Sequence, residues 1–246
     1  MRATPGTHIR LALSDFPAKL EPEGAATGLL RLDYGGEREL VVSDGSATVG
    51  RMDAPALASV EWRDAEGAAL YSTELEVVAR HYFPLSALKA TGEGDDFVTN
   101  SEEELRDARQ AATETFELNA RRSFVRRIGS TETYRGGFVW LEHSDVRELM
   151  TDGWALMSDC TARGPEGHAV IRYRYGLDEI PARVSDAVLA LARYYLRPSV
   201  TPDRATGEAT EAGFIRYTLA GKDGATGLPE VDAAIEQFGR QRVVVL

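Results

Sequence analysis

Along roughly the first 88 residues, apolar positions come in short runs that partly alternate with polar ones and show no helical period. The runs are TGLLRL (27–32), RELVV (38–42), ASVEWR (58–63) and ALYSTELEVVA (69–79), rich in Val, Leu, Tyr and Trp. Such runs read as strands. Gly35-Gly36, Asp44-Gly45 and Glu66-Gly67 separate them, and these pairs favour the positive φ of tight turns. Strands at this spacing predict a small sandwich or barrel.

The period changes abruptly after the polar stretch Thr91–Asp96. Ala108, Ala112, Phe116, Ala120, Phe124 and Ile128 recur every fourth residue and predict one apolar stripe on a helix spanning about 101–128. Ser101 with Glu104 forms the pattern of a capping box, and Gly129 is placed to end the helix. Glu102, Glu103, Glu104 and Asp107 crowd its start and Arg121, Arg122, Arg126 and Arg127 its end, in the sense that complements the helix dipole. Gly137–Glu142 and His168–Tyr175 read as strands, while 145–157 fits neither period. Pro181 opens a helix whose apolar positions are Val184, Val188, Leu191, Ala192 and Tyr195, and Pro198 stops it. The stretch 199–213 reads as a loop, 214–219 as a strand, 221–227 as a glycine-rich loop, and 229–238 as a short helix led by Pro229. The expected class is α+β. A small all-β domain (1–94) precedes a helical domain with short strands and an extended C-terminal arm (95–246).

Composition adds bounds. The chain has 246 residues, 43% hydrophobic and 27% charged, so it can bury a core without disulfides or metal. Its formal charge is −11, which disfavours a general coat for nucleic acid. One cysteine, Cys160, excludes a disulfide framework and a multi-cysteine zinc site within the chain, and fits a reducing compartment. The apolar run 9–13 is too short for a signal peptide, and no stretch has the length and apolarity of a membrane span. These bounds lead us to expect a soluble cytosolic protein.

Catalytic motifs are not evident. The sequence lacks G-x-x-x-x-G-K-[ST], H-E-x-x-H and G-x-S-x-G. His8, His81, His143 and His168 are isolated, so a histidine metal site would need assembly across the fold. His143-Ser144-Asp145 has triad residue types, but adjacent residues cannot stack as nucleophile, base and orienter. Cys160 lies near Asp159 and Arg163, where a perturbed thiol is one reading and a small packing residue the other. No catalytic residue, cofactor or metal is expected. The four arginines admit two readings: dipole compensation, or pairing with acids of a neighbouring subunit or with passing DNA.

Three stretches resemble the head-to-tail adaptor (connector) proteins of long-tailed bacteriophages and related gene-transfer particles. They are SEEELRDARQAATETFELNARRSFVRR, VIRYRYGLDEIPARVSDAVLALARYYLRP and GFIRYTLAGKDGATGLPEVDAAIEQFGRQR. The N-terminal β module departs from the minimal pattern of that family. The resemblance implies a virion-neck protein, in the host cytoplasm before assembly. It implies a self-ring, usually of twelve copies, between the portal protein and a neck stopper or other tail-side protein. DNA passes the channel without sequence-specific binding, and no membrane is involved. It implies subunit contacts through Glu103, Asp107, Arg122, Arg126 and Arg127. It also implies a portal-binding arm formed by Arg240, Arg242, Val243, Val244, Val245 and Leu246, whose apolar end suits strand addition or a last strand in its own domain. An alternative is a β domain binding carbohydrate or protein on an oligomerising helical base, with Trp62, Tyr71, Tyr82 and Trp140 as the aromatics of interest. An enzyme using His143, Asp145 or Cys160 is a third reading.

Overall fold

The structure is a computed structural model, described for residues 1–89, 97–197, 207–210, 213–216 and 226–240. The strands are β1 (Arg2–Ala3), β2 (His8–Ala12), β3 (Ala18–Pro22), β4 (Thr27–Leu32), β5 (Glu37–Val41), β6 (Ala47–Val49), β7 (Ala56–Arg63), β8 (Ala69–Val78), β9 (Arg127–Thr133), β10 (Gly136–Trp140), β11 (Val146–Leu149), β12 (Ala155–Ser158), β13 (Thr161–Glu166), β14 (Ala169–Tyr175), β15 (Gly207–Thr210) and β16 (Gly213–Arg216). The helices are α1 (Ser86–Lys89), α2 (Glu102–Ala120), α3 (Ala182–Leu196) and α4 (Pro229–Phe238). The chain is therefore α+β, as its patterning predicts.

Two compact units form, and neither is a single stretch of chain. Unit 1 holds Met1–His81 with Ser123–Glu179, and unit 2 holds Tyr82–Arg122 with Ile180–Leu246. The β-rich segment 123–179 thus groups with the N-terminal strands. The polar stretch read as a domain boundary, Thr91–Asp96, lies outside the described residues.

Unit 1 contains two layered β modules. In the first, a five-stranded sheet runs β2-β8-β7-β4-β5 and a three-stranded sheet runs β1-β3-β6. Leu30, Val60, Trp62, Leu75 and Val77 from the larger sheet share one core with Ala18, Leu20, Ala47 and Val49 from the smaller. This is the sandwich solution, which buries one face of each sheet. Trp62 is fully buried, its indole N–H donates to Thr73 Oγ1 at 3.0 Å, and its ring lies over Gly28. A Cβ at Gly28 would stand 2.7 Å from that ring, so glycine serves close packing there. β2 joins the sheet parallel to β8, a pairing of His8 with Glu74 that local pattern does not reveal.

The second module pairs sheets β11-β14-β9 and β10-β13-β12. Val139, Leu141, Ala162, Ile171, Tyr173 and Tyr175 form its core. The stretch 145–157, ambiguous in sequence, holds the four-residue strands β11 and β12. Runs that short show neither period clearly.

In unit 2, α2, α3 and α4 pack on one another. Leu105, Ala112 and Phe116 of α2, Val184, Val188 and Leu191 of α3, and Val231 and Ala234 of α4 are buried. Ser101 caps α2 as predicted: its hydroxyl accepts from Glu104 N–H at 3.2 Å, and Glu104 accepts from Ser101 N–H at 2.8 Å. Ser101→Ala should cost about 1 kcal/mol, read as a lower urea midpoint. An unchanged midpoint would mean that Glu104 alone holds the end.

The far end of α2 corrects the sequence reading. The helix stops at Ala120, with Arg121 left-handed (φ 54°), and Gly129 sits inside strand β9 instead of closing a helix. The four-residue spacing ran on because Phe124 and Ile128 are core residues of the following β segment, 1% and 4% exposed. The arginines therefore do not occupy the last helical turn. Of the remaining segments, α4 spans the predicted 229–238, and part of the stretch read as a loop forms the hairpin β15–β16.

Candidate functional site

The sequence-predicted charges separate. Glu103 is half-buried and Asp107 exposed in the first two turns of α2. Although Asp107 is exposed, partial desolvation of its carboxyl where it meets the groove side of α2, together with the neighbouring carboxylates of Glu103 and Glu104, pushes it up from its ordinary value. Arg122 donates to the Phe238 carbonyl oxygen at 3.1 Å, at the C-terminal end of α4. Cations suit such an end. Arg126 is exposed and paired with Asp178. Arg127 is largely buried and pairs with Glu76 of β8, while its guanidinium lies 5.5 Å from the Tyr175 ring centre. Arg240 is described, its N–H donating to Ala120 O at 2.9 Å. Arg242, Val243, Val244, Val245 and Leu246 lie outside the described residues.

Glu76 is the centre of a buried charge cluster. Its carboxylate accepts from Arg10 Nε at 2.8 Å and from Arg127, and His8 Nε2 is 3.7 Å away. Burial by itself would raise its pKa, but the two guanidinia outweigh burial and hold the carboxyl below its ordinary value. Arg127 thus has a structural role within unit 1.

The residues of the enzymatic reading sit in a packing network. His143 Nδ1 is 2.9 Å from Tyr173 OH, and its ring stacks on Tyr175 at 4.1 Å. Tyr173 OH also meets Thr131 Oγ1 at 3.0 Å, and burial pushes its pKa up. Asp145 takes a left-handed turn (φ 58°), and its carbonyl accepts from Gly176 N–H. Cys160 is half-buried in the β12–β13 turn, beside Ser158 Oγ at 3.7 Å. No nucleophile–base pair forms among these contacts. Among the described residues no cluster of three or more His, Cys, Asp or Glu could hold a metal ion, and no helix is long and apolar enough to cross a membrane.

The aromatics also divide. Trp62 and Tyr82 are buried, the latter donating to Glu117 Oε1 at 2.9 Å. Tyr71 is half-buried and donates to the Ala3 carbonyl at 2.8 Å. Trp140 is the exception at 69% exposure, beside Phe138 at 57%. Their rings meet edge to face, centres 6.0 Å apart. β10 is apolar on both faces because Val139 fills the core side.

A second surface lies in unit 2, where α2 and α3 leave an open groove of about 590 Å³. Ala108 and Ala111 form its floor, Tyr195 and Leu196 one wall, and Glu104 and Asp107 one end. Tyr195 OH donates to Thr115 Oγ1 at 3.1 Å. The sequence points to Asp107 and Trp140 but not to this groove, whose one available signal is the stripe 104, 107, 108, 111, 115 and 118 at helical spacing.

No family model matches the chain, and no curated protein does. Among solved structures, the chain is similar to one in the virion of a native gene transfer agent particle, at 18% identity and TM-score 0.46. The likeness covers 67% of this chain and 93% of that one. A second similar chain comes from the neck of an empty gene transfer agent particle computed with C6 symmetry. It shows 16% identity, TM-score 0.45 and the same coverages.

Proposed function

We propose that the protein is a structural component of a tailed-particle neck, forming a ring of copies between portal and tail-side proteins around the DNA channel, without catalysis of its own. One observation carries the reading. Three separated pieces of the stretches that resemble the adaptor family fold as α2, α3 and α4 and pack on one another. In this reading Glu103 and Asp107 face a neighbouring subunit, and Arg126 can join them by exchanging its partner Asp178. Arg122 and Arg127 support the subunit from within. Arg240, Arg242 and Val243–Leu246 form the portal-binding arm, and the protein stays in the host cytoplasm until assembly. The acidic balance of −11 keeps DNA from adhering as it passes.

Mass spectrometry of gradient-purified tailed particles tests this. The chain should be present in a ring-like stoichiometry, on the order of a dozen copies. Deleting Val243–Leu246 should abolish attachment to the portal and leave the fold intact. A chain abundant in lysate but missing from particles would sink the reading. The exposed Trp140 would then favour the alternative, a ligand-binding β module.

A further inference from the structure

We infer that the outer face of the β10-β13-β12 sheet of one copy docks into the α2–α3 groove of a second copy, with Arg163 meeting Asp107. The inference rests on the reading of the protein as a ring subunit and names the surfaces that would join its copies.

The donor surface is apolar with one cation. Phe138 and Trp140 stand two residues apart on β10, so both project from the same side of the sheet. Arg163 lies directly across from Phe138 on β13 and is exposed. Met157 of β12 is 57% exposed. Three large apolar side chains gathered on one small sheet exceed the scattered exposure normal for a surface. Arg163 makes no ion pair among the described residues.

The acceptor surface is apolar with one anion. Ala108 and Ala111 keep the groove floor low, so large side chains can enter. Tyr195 is 41% exposed on its wall, and Leu118, 78% exposed, extends the α2 stripe beyond it. Glu104 is already engaged by Ser101 in the helix cap. Asp107 has no cation among the described residues, and its carboxyl is held up by partial desolvation and by its acidic neighbours. A guanidinium brought by another copy supplies what that carboxyl lacks. Both surfaces are apolar and each carries the charge the other lacks, which favours this pairing over like-with-like contact. Because the surfaces differ, the contact is heterologous, and repetition propagates a ring or a filament.

The test uses the full-length protein. Sedimentation velocity, followed up to millimolar concentration, should show wild-type self-association. Arg163→Glu and Asp107→Arg should each weaken it at least tenfold, with circular dichroism unchanged. Trp140→Ser should weaken it as well, through loss of apolar contact. An equimolar mixture of the two charge variants should associate again, because every contact between them pairs opposite charges. The double variant should do so alone. Single variants that associate like wild type, a mixture that stays monomeric, or a wild type monomeric to millimolar concentration would each overturn the proposal. The neck reading fails separately: a protein that associates through this contact yet is absent from particles loses the neck and keeps the interface.

Discussion

Glu76→Ala should destabilise the protein by about 3–5 kcal/mol at neutral pH, because it strands two buried guanidinia. Arg10 and Glu76 expose 5% and 3% of their side chains and Arg127 15%, so water cannot replace the lost carboxylate. Glu76→Gln should cost less, since the amide oxygen can still accept one hydrogen bond. The pH dependence has a definite sign. The folded carboxyl sits below its unfolded value of about 4.3, so its contribution is present above that pH and lost as pH falls through the folded value. Urea midpoints between neutral pH and pH 3 should fall more steeply for the wild type than for Glu76→Ala. Parallel curves would mean that the ion cluster does not hold the fold. Reversing Arg127 to Glu should be at least as damaging, since it sets two buried carboxylates together. Such a variant tests folding and not ring formation.

Gly176→Ala should cost roughly 3–5 kcal/mol, combining strain of a left-handed residue with overpacking against backbone. Gly176 has φ +94°, and a Cβ there would fall on the carbonyl oxygen of Val125, which cannot rotate away. The glycine closes β14, where its N–H donates to Asp145 O and Leu177 N–H donates to Ser123 O. Thermal denaturation reads this directly. Gly153→Ala is a useful contrast: φ is +79° but the nearest atom is 3.7 Å away, so only the backbone strain remains. Equal losses at both sites would show that the clash at Gly176 relaxes at little cost.

Local pattern was informative wherever an element's identity depends on its own residues. β4 matches its predicted span, 27–32, because apolar and polar positions alternate between turn-forming glycines. α4 matches 229–238 because Pro229 fixes its start. What depends on distant partners was not legible. Arg127 reads as one of four clustered arginines, and its buried role follows from Glu76, 51 residues earlier. The end of α2 was missed because Phe124 and Ile128 keep the helical spacing while serving a β core. Of the candidate interface, Asp107 and Trp140 were visible as types in place. Arg163 opposite Phe138 is a matter of strand register, and Tyr195 beside Ala111 of helix packing, and neither is written locally.

The chain passes between its two units three times, at residues 81–82, 122–123 and 179–180. Residues 82–122 are therefore an insertion as seen from the β modules, and the strands on either side of it must meet for Glu76 to find Arg127. Cutting the chain after residue 94 would leave each β core whole in its own fragment, but it would part Glu76 from Arg127 and Tyr82 from Glu117. Neither the first 94 residues nor the remainder therefore holds a complete set of partners for its own buried polar and charged groups, so the N-terminal strands and the rest of the chain depend on each other.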